Sequence, residues 1–263
     1  MPVPAHASSA MTNLDQQDTL PTDPEAATLV EVNERAQNYS SPAIRARRSR
    51  ILEETRKSIA ENGISALSMN EVGKRAGVAK RTLYNAFQTR ERMIAVAIQE
   101  YFDEYVRRIQ YTNPAGTLMN NVERMISVIS RNRKIRNYIR AIMALYFSPE
   151  ADPDIWQTMH GMATRSNLEW VRSLQAGKQL QSWVSAERLV DDLVRLEYAT
   201  INAWAQGRLT DDEIIPHLLQ NYLTFVAGAT RGAARKEIEN LLREINDHGV
   251  SRLLSIKPRM ANS

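Results

Sequence analysis

Lys80, Arg81, Tyr84 and Asn85 fall within six residues of one another, in the run Lys80-Arg-Thr-Leu-Tyr-Asn-Ala-Phe87. On a helix, Leu83, Ala86 and Phe87 share one side by their i, i+3, i+4 spacing. Lys80, Arg81, Tyr84, Asn85 and Gln88 project from the other. That outward set suits recognition chemistry. Lysine and arginine meet the acceptor edge of guanine in the major groove, and the carboxamide of asparagine pairs with adenine. Short basic runs are also common on solvated surface helices, so the flanking residues decide between the two readings.

Stepping outward, Ser68 and Glu71 have capping-box spacing at the start of a shorter helix. Val72 and Ala76 lie a turn apart on its inner side, and Gly77 stops it, because glycine enters the left-handed region without steric cost. A short helix, a glycine turn and a second short helix result. Upstream, Pro42 suits the start of a helix ending at Gly63, with Ile44, Ile51, Leu52, Thr55 and Ile59 on one face. Arg45, Arg47, Arg48 and Arg50 crowd its first two turns against the helix dipole, a cost that phosphate contact would offset. Downstream, Thr89 caps a fourth, long helix with Arg90 in its first turn and an apolar stripe from Met93 to Ile109.

These residues resemble the TetR family of bacterial transcription regulators. The matching positions are Gly73, Ala76, Gly77, Val78, Ala79, Lys80, Thr82, Leu83, Tyr84, Phe87 and Arg90. Gly73 stands where the family usually has alanine, which should loosen the first short helix; Ala86 replaces His or Tyr, and Arg90 replaces lysine. About 50 residues carry the likeness, from Arg50 to Met93. It implies an all-α fold: an N-terminal three-helix helix-turn-helix head and a C-terminal helical ligand-binding and dimerisation bundle. It further implies DNA contact at Ser68, Asn70, Ala79, Lys80, Arg81, Tyr84, Asn85 and Arg90. Lys80, Arg81 and Asn85 are expected at base edges, and Ser68, Asn70, Tyr84 and Arg90 at phosphates.

Composition narrows the class. With 43% hydrophobic residues, the 263-residue chain can bury a sizeable core, and the absence of cysteine excludes disulfides and thiolate chemistry. His6, His160, His217 and His248 are too scattered to suggest a metal set. There is no phosphate-cradling glycine loop and no Gly-x-Ser-x-Gly turn, so neither catalysis nor a cofactor is expected. No apolar run approaches the roughly 18 residues of a membrane span, and the N-terminus does not read as a signal peptide, which points to the cytoplasm. The net charge of +4 is unevenly spread. Residues 1–42 hold six acids and one base; residues 43–92 hold twelve bases and five acids, the footprint of phosphate binding. Residues 1–42 read as a disordered acidic arm, 43–92 as the head, 93–247 as the bundle and 248–263 as a tail.

Beyond Asn113-Pro-Ala-Gly116 the pattern is helical throughout, including one helix from Arg131 to Phe147. Met119, Tyr138, Met143, Tyr146, Phe147, Trp156, Met159, His160 and Trp170 supply the materials of an adaptable pocket for a small, largely apolar ligand. A packed core is the alternative for each of them. Arg140 and His160 could meet a polar group of that ligand. The family forms its dimer near the C-terminus, which places Leu193, Leu196, Thr200, Trp204, Leu219, Tyr222 and Val226 at the interface of a homodimer. The expected function is a ligand-released repressor on a near-palindromic double-stranded operator. A regulator acting through a protein partner, and a helical small-molecule-binding protein with an incidental basic head, stay open.

Overall fold

The computed structural model describes residues 41–255 and 259–260; the acidic arm lies outside them, save Ser41 and Pro42. The chain divides at Arg45 into two compact units, and residues 46–263 form the second. Helix α1, Pro42–Asn62, buries Ile51, Leu52, Thr55, Ser58 and Ile59 as one stripe. Ile44, expected on that stripe, is exposed at 52%. The buried spacing begins two turns into the helix.

Helices α2 (Met69–Ala76), α3 (Lys80–Phe87) and α4 (Arg90–Arg107) follow. The Ser68 hydroxyl accepts from the Glu71 amide at 3.2 Å, and the Thr89 hydroxyl from that of Arg92 at 3.0 Å, so α2 and α4 are both capped. In the first half of α4, Met93 to Gln99 are all buried. A helix enclosed on every side is a core element, and α4 packs against α3 and against α7 of the bundle. It runs unbroken through the expected boundary at residue 92.

A two-residue strand β1, Ile109–Gln110, precedes α5 (Leu118–Asn132). The single helix expected from Arg131 to Phe147 is instead interrupted. A 3-10 turn at Arg133–Ile135 separates α5 from α6 (Arg136–Tyr146). The change of direction brings Arg136 over the Trp204 ring, 4.8 Å from its centroid, with a 2.6 Å hydrogen bond to the Trp204 carbonyl. Then come α7 (Pro153–Ala176), α8 (Ala186–Ala205), α9 (Ile214–Ala229), α10 (Gly232–His248) and α11 (Ser251–Ser255). The box expected before α9 is reciprocal: Thr210 N–H donates to Glu213 at 2.8 Å, and Glu213 N–H to the Thr210 hydroxyl at 3.3 Å. A last strand, β2 (Arg259–Met260), pairs antiparallel with β1, Ile109 opposite Met260. The chain beyond residue 248, assigned no role from sequence, thus returns to the end of α4. A pairing this short leaves the class all-α.

One apolar cluster runs from Ile51 to Leu253. Helix α7 lies against α4 and α8, and α9 between α8 and α10. Within this interior sits a polar network. Arg124 of α5 donates to both carboxylate oxygens of Glu197 of α8, at 3.3 and 3.2 Å, and to Asn121 at 3.1 Å. Asn121 donates to the Tyr222 hydroxyl at 2.7 Å, which in turn donates to Asn167 at 2.6 Å. Burial opposes the Arg124 charge, but Glu197 outweighs it, and the guanidinium pKa stands above its usual value.

Candidate nucleic-acid interface

Leu83 and Phe87 anchor α3 at 0% and 1% exposure, so its other side must face outward. Ala79, Lys80, Arg81, Tyr84 and Asn85 are all exposed, and the Lys80 ammonium lies 5.6 Å from the Tyr84 ring centroid. Ser68 and Asn70 are exposed at the start of α2. Because Ser68 uses its hydroxyl only to accept, its proton stays available to a phosphate. The turn that sets α2 against α3 rests on Gly77, at φ 62°, whose amide bonds to the carbonyls of Gly73 and Lys74. Gly73, read as a weak point of α2, has a packing reason. A Cβ there would stand 3.0 Å from the Val78 carbonyl oxygen and 3.6 Å from Leu83.

The charges of the head are sorted by position. Arg75 bridges Glu54 at 3.0 Å and Glu61 at 2.6 Å, and Lys57 pairs with Glu53 and Glu54. Hydrogen bonds from Lys57 and then Arg75 hold the Glu54 carboxyl below its ordinary value of 4.5, and Arg75 does the same for Glu61. The acids are thus consumed along α1, whereas Lys80 and Arg81 have no ion pair among the described residues. Such unneutralised cations on a protruding helix are what a polyanion would meet.

Three of the arginines expected near phosphates have partners within the chain. Arg90 donates to the Leu67 carbonyl at 2.9 Å and to that of Ile64, and pairs with Glu91 at 2.9 Å, so it ties the 64–67 turn to α4. Arg48 pairs with Glu100 at 3.0 Å and covers the Phe87 ring at 4.9 Å. Arg50 donates to the Ala76 carbonyl at 2.8 Å, at the end of α2. Sequence could not separate these from reading residues, since arginine is the natural choice for both tasks.

The expected pocket residues fall in more than one packed group. Tyr138, Met143, Tyr146, Met159 and Trp170 are buried, and Phe147 is 45% exposed. Tyr146, Trp156 and His160 stack, with Trp156 and His160 centroids 4.6 Å apart, and the Tyr198 edge closes on Tyr146 at 4.8 Å. His160 bonds to the Tyr146 hydroxyl at 2.8 Å and to Asp191 at 2.6 Å. Trp170 lies elsewhere, against Tyr222. Met119 packs at the edge of the core, and Arg140 bonds to the Ala205 carbonyl. A cavity of about 560 Å³ lies instead between α4 and α5, and none of the nine lines it. Nor do the expected dimer residues face outward. Leu193, Trp204, Leu219, Tyr222 and Val226 are at most 1% exposed in the single chain, Thr200 is buried, and Leu196 partly so. The outer side of α9 carries Asn221, Phe225 and Gly228, with Phe225 at 43%.

A tri-helical head with a glycine turn and an outward cationic helix defines a helix-turn-helix DNA-binding protein. The family model described as bacterial regulatory proteins, tetR family, matches residues 51–97. Residues 51–97 thus carry the DNA-binding domain that the model describes for bacterial transcription regulators. Solved structures extend the likeness of fold. A TetR-family regulator from Rhodococcus sp. aligns with TM-score 0.55 at 16% identity, over 68% of this chain and 98% of its own. Salmonella enterica GusR aligns with TM-score 0.51 at 21% identity, over 78% and 98%. Thermus thermophilus FadR, a repressor solved in complex with lauroyl-CoA, aligns with TM-score 0.56 at 18% identity, over 71% and 97%. Comparison with curated proteins gives no match. Among the described residues, no helix is long and apolar enough to cross a membrane, and no group of three or more His, Cys, Asp or Glu side chains gathers as a metal site.

Proposed function

We propose that the chain is a ligand-released repressor that binds a near-palindromic operator as a homodimer, with residues 43–92 as its head and 93–247 as its ligand-binding and dimerisation part. The observation that carries this reading is α3: its inner side is locked by Leu83 and Phe87, and the cations of its outer side have no ion pair among the described residues. Lys80, Arg81 and Asn85 read base edges, and Ser68, Asn70 and Tyr84 hold phosphates, while Ala79 brings the backbone close at the start of the helix. Two heads would enter successive major grooves about 34–36 Å apart.

Helix α4 joins the head to the bundle and is the natural lever. A ligand that binds better to the state with tilted α4 moves the heads off groove spacing; equal affinity for both states would move nothing. The FadR complex supports a ligand role by likeness of fold. The second copy would meet the outer strips of α8 and α9, including Ala199, Asn202 and Phe225, in place of the residues now buried. Selection of bound sequences from random duplex DNA should return an inverted repeat. Single-site recovery, or no enrichment at modest salt, would refute the reading. Phe225→Lys should convert the dimer to monomer in sedimentation without unfolding it.

A further inference from the structure

The cavity between α4 and α5, about 560 Å³, is of a size that holds a small organic molecule. Tyr101 and Tyr105 of α4 face Ser127 and Arg131 of α5, and Arg133 and Lys134 close it from the turn beyond. Its charge is one-sided. The one acid in the wall, Glu104, is consumed by Arg108. Arg131, Arg133 and Lys134 have no carboxylate partner among the described residues. The Arg131 guanidinium rests over Tyr101 and Tyr105, 5.4 and 5.9 Å from their ring centroids. Cation–π contact holds such a group in place but leaves its hydrogen-bond donors for another partner.

Three buried side-chain atoms of the cavity's lining residues have no hydrogen-bond partner among the described residues. The Ser127 hydroxyl belongs to a residue 7% exposed, and the Tyr101 hydroxyl and Nε of Arg133 are likewise buried; none of the three makes a hydrogen bond. Buried polar atoms are rarely left so, and three around one cavity call for an explanation. The tyrosine rings and Ile126 supply apolar surface beside these donors. Burial pushes the Tyr105 hydroxyl up to about 12, so it stays a donor at neutral pH, given at 2.7 Å to the Ser127 carbonyl.

We propose that this cavity is the effector site and that it takes an amphiphilic organic anion, its acidic group on Arg131 and Lys134 and its apolar body against Tyr101 and Tyr105. The inference rests on the ligand-released reading above and replaces the apolar effector expected from sequence with an anionic one. The link to the head is direct. Arg56 of α1 stands 5.3 Å from the centroid of the same Tyr101 ring. An anion that draws Arg131 away alters the ring shared with Arg56, and with it the seating of α1 on α4.

The test is fluorescence titration of the full chain with anilinonaphthalene sulfonate and with neutral phenylnaphthylamine. The sulfonate should bind one site about tenfold or more tighter than the neutral probe. Arg131→Gln and Lys134→Gln should each weaken the sulfonate several-fold and leave the neutral probe unmoved; Lys134 is exposed, so that variant keeps its melting temperature. Bound sulfonate should also weaken the complex with the selected duplex. Equal affinity for both probes, or sulfonate binding untouched in both variants, overturns the anion site. Sulfonate binding that leaves duplex affinity unchanged overturns its effector role. Duplex binding without charge-dependent probe binding sinks the site and leaves the regulator reading; probe binding without duplex binding does the reverse.

Discussion

Arg81 and Arg90 are nine positions apart and chemically identical, yet their surroundings differ. Arg81 stands exposed on α3 with no ion pair among the described residues. Arg81→Ala should therefore cost about 1–3 kcal/mol of operator binding and relax preference at one base position. An equal loss on every sequence would deny it a reading role. Arg90 spends three of its nitrogens on Leu67, Ile64 and Glu91. Arg90→Gln should lower the melting temperature of the head, with any loss of DNA affinity following from that; an unchanged melt with a flatter salt slope would return it to phosphate contact.

At the scale of elements, the head is held by ion pairs that depend on pH. Glu54 and Glu61 titrate below 4.5 in the folded chain because Lys57 and Arg75 stabilise their anions. The unfolded chain takes up protons first, so this stabilisation is complete above about 4.5 and drains away as pH falls through the depressed values. Both carboxyls are solvent-accessible, so the effect is screened and small. Arg75→Met should flatten the acid limb of the melting-temperature profile; a limb of unchanged slope would mean that other groups carry it. Buried Glu123 of α5 accepts from two residues of the loop before it, the Thr112 amide at 3.1 Å and the Asn113 carboxamide at 2.8 Å. Its carboxylate gathers the end of the lever, next to the β1–β2 pair.

For the molecule as a whole, the network of Arg124, Glu197, Asn121, Asn167 and Tyr222 joins α5, α7, α8 and α9 through the buried interior. Removing one partner leaves a buried charge unpaired, so Glu197→Ala should cost about 3–5 kcal/mol of unfolding free energy. The double change Arg124→Met with Glu197→Leu should recover most of it. A double variant as weak as the single one would show that the network supplies more than charge neutralisation.

Local chemistry made much of this legible in advance. Capping hydroxyls at Ser68 and Thr89, the left-handed glycine at Gly77 and the Leu83–Phe87 spacing act over a few residues, so the head and the outward side of α3 could be read along the chain. Apolar periodicity likewise marked most helices of the bundle. It could not tell an inward aromatic that packs from one that lines a void, nor a helix side buried by its own chain from one left for a second copy. Those outcomes depend on which elements meet across long separations in sequence. Trp204 is enclosed through Arg136 and Asp211, Arg90 is claimed by the 64–67 turn, and the cationic seam forms only where α4 meets α5. Tertiary packing alone decided them, because burial and charge pairing are properties of neighbours in space.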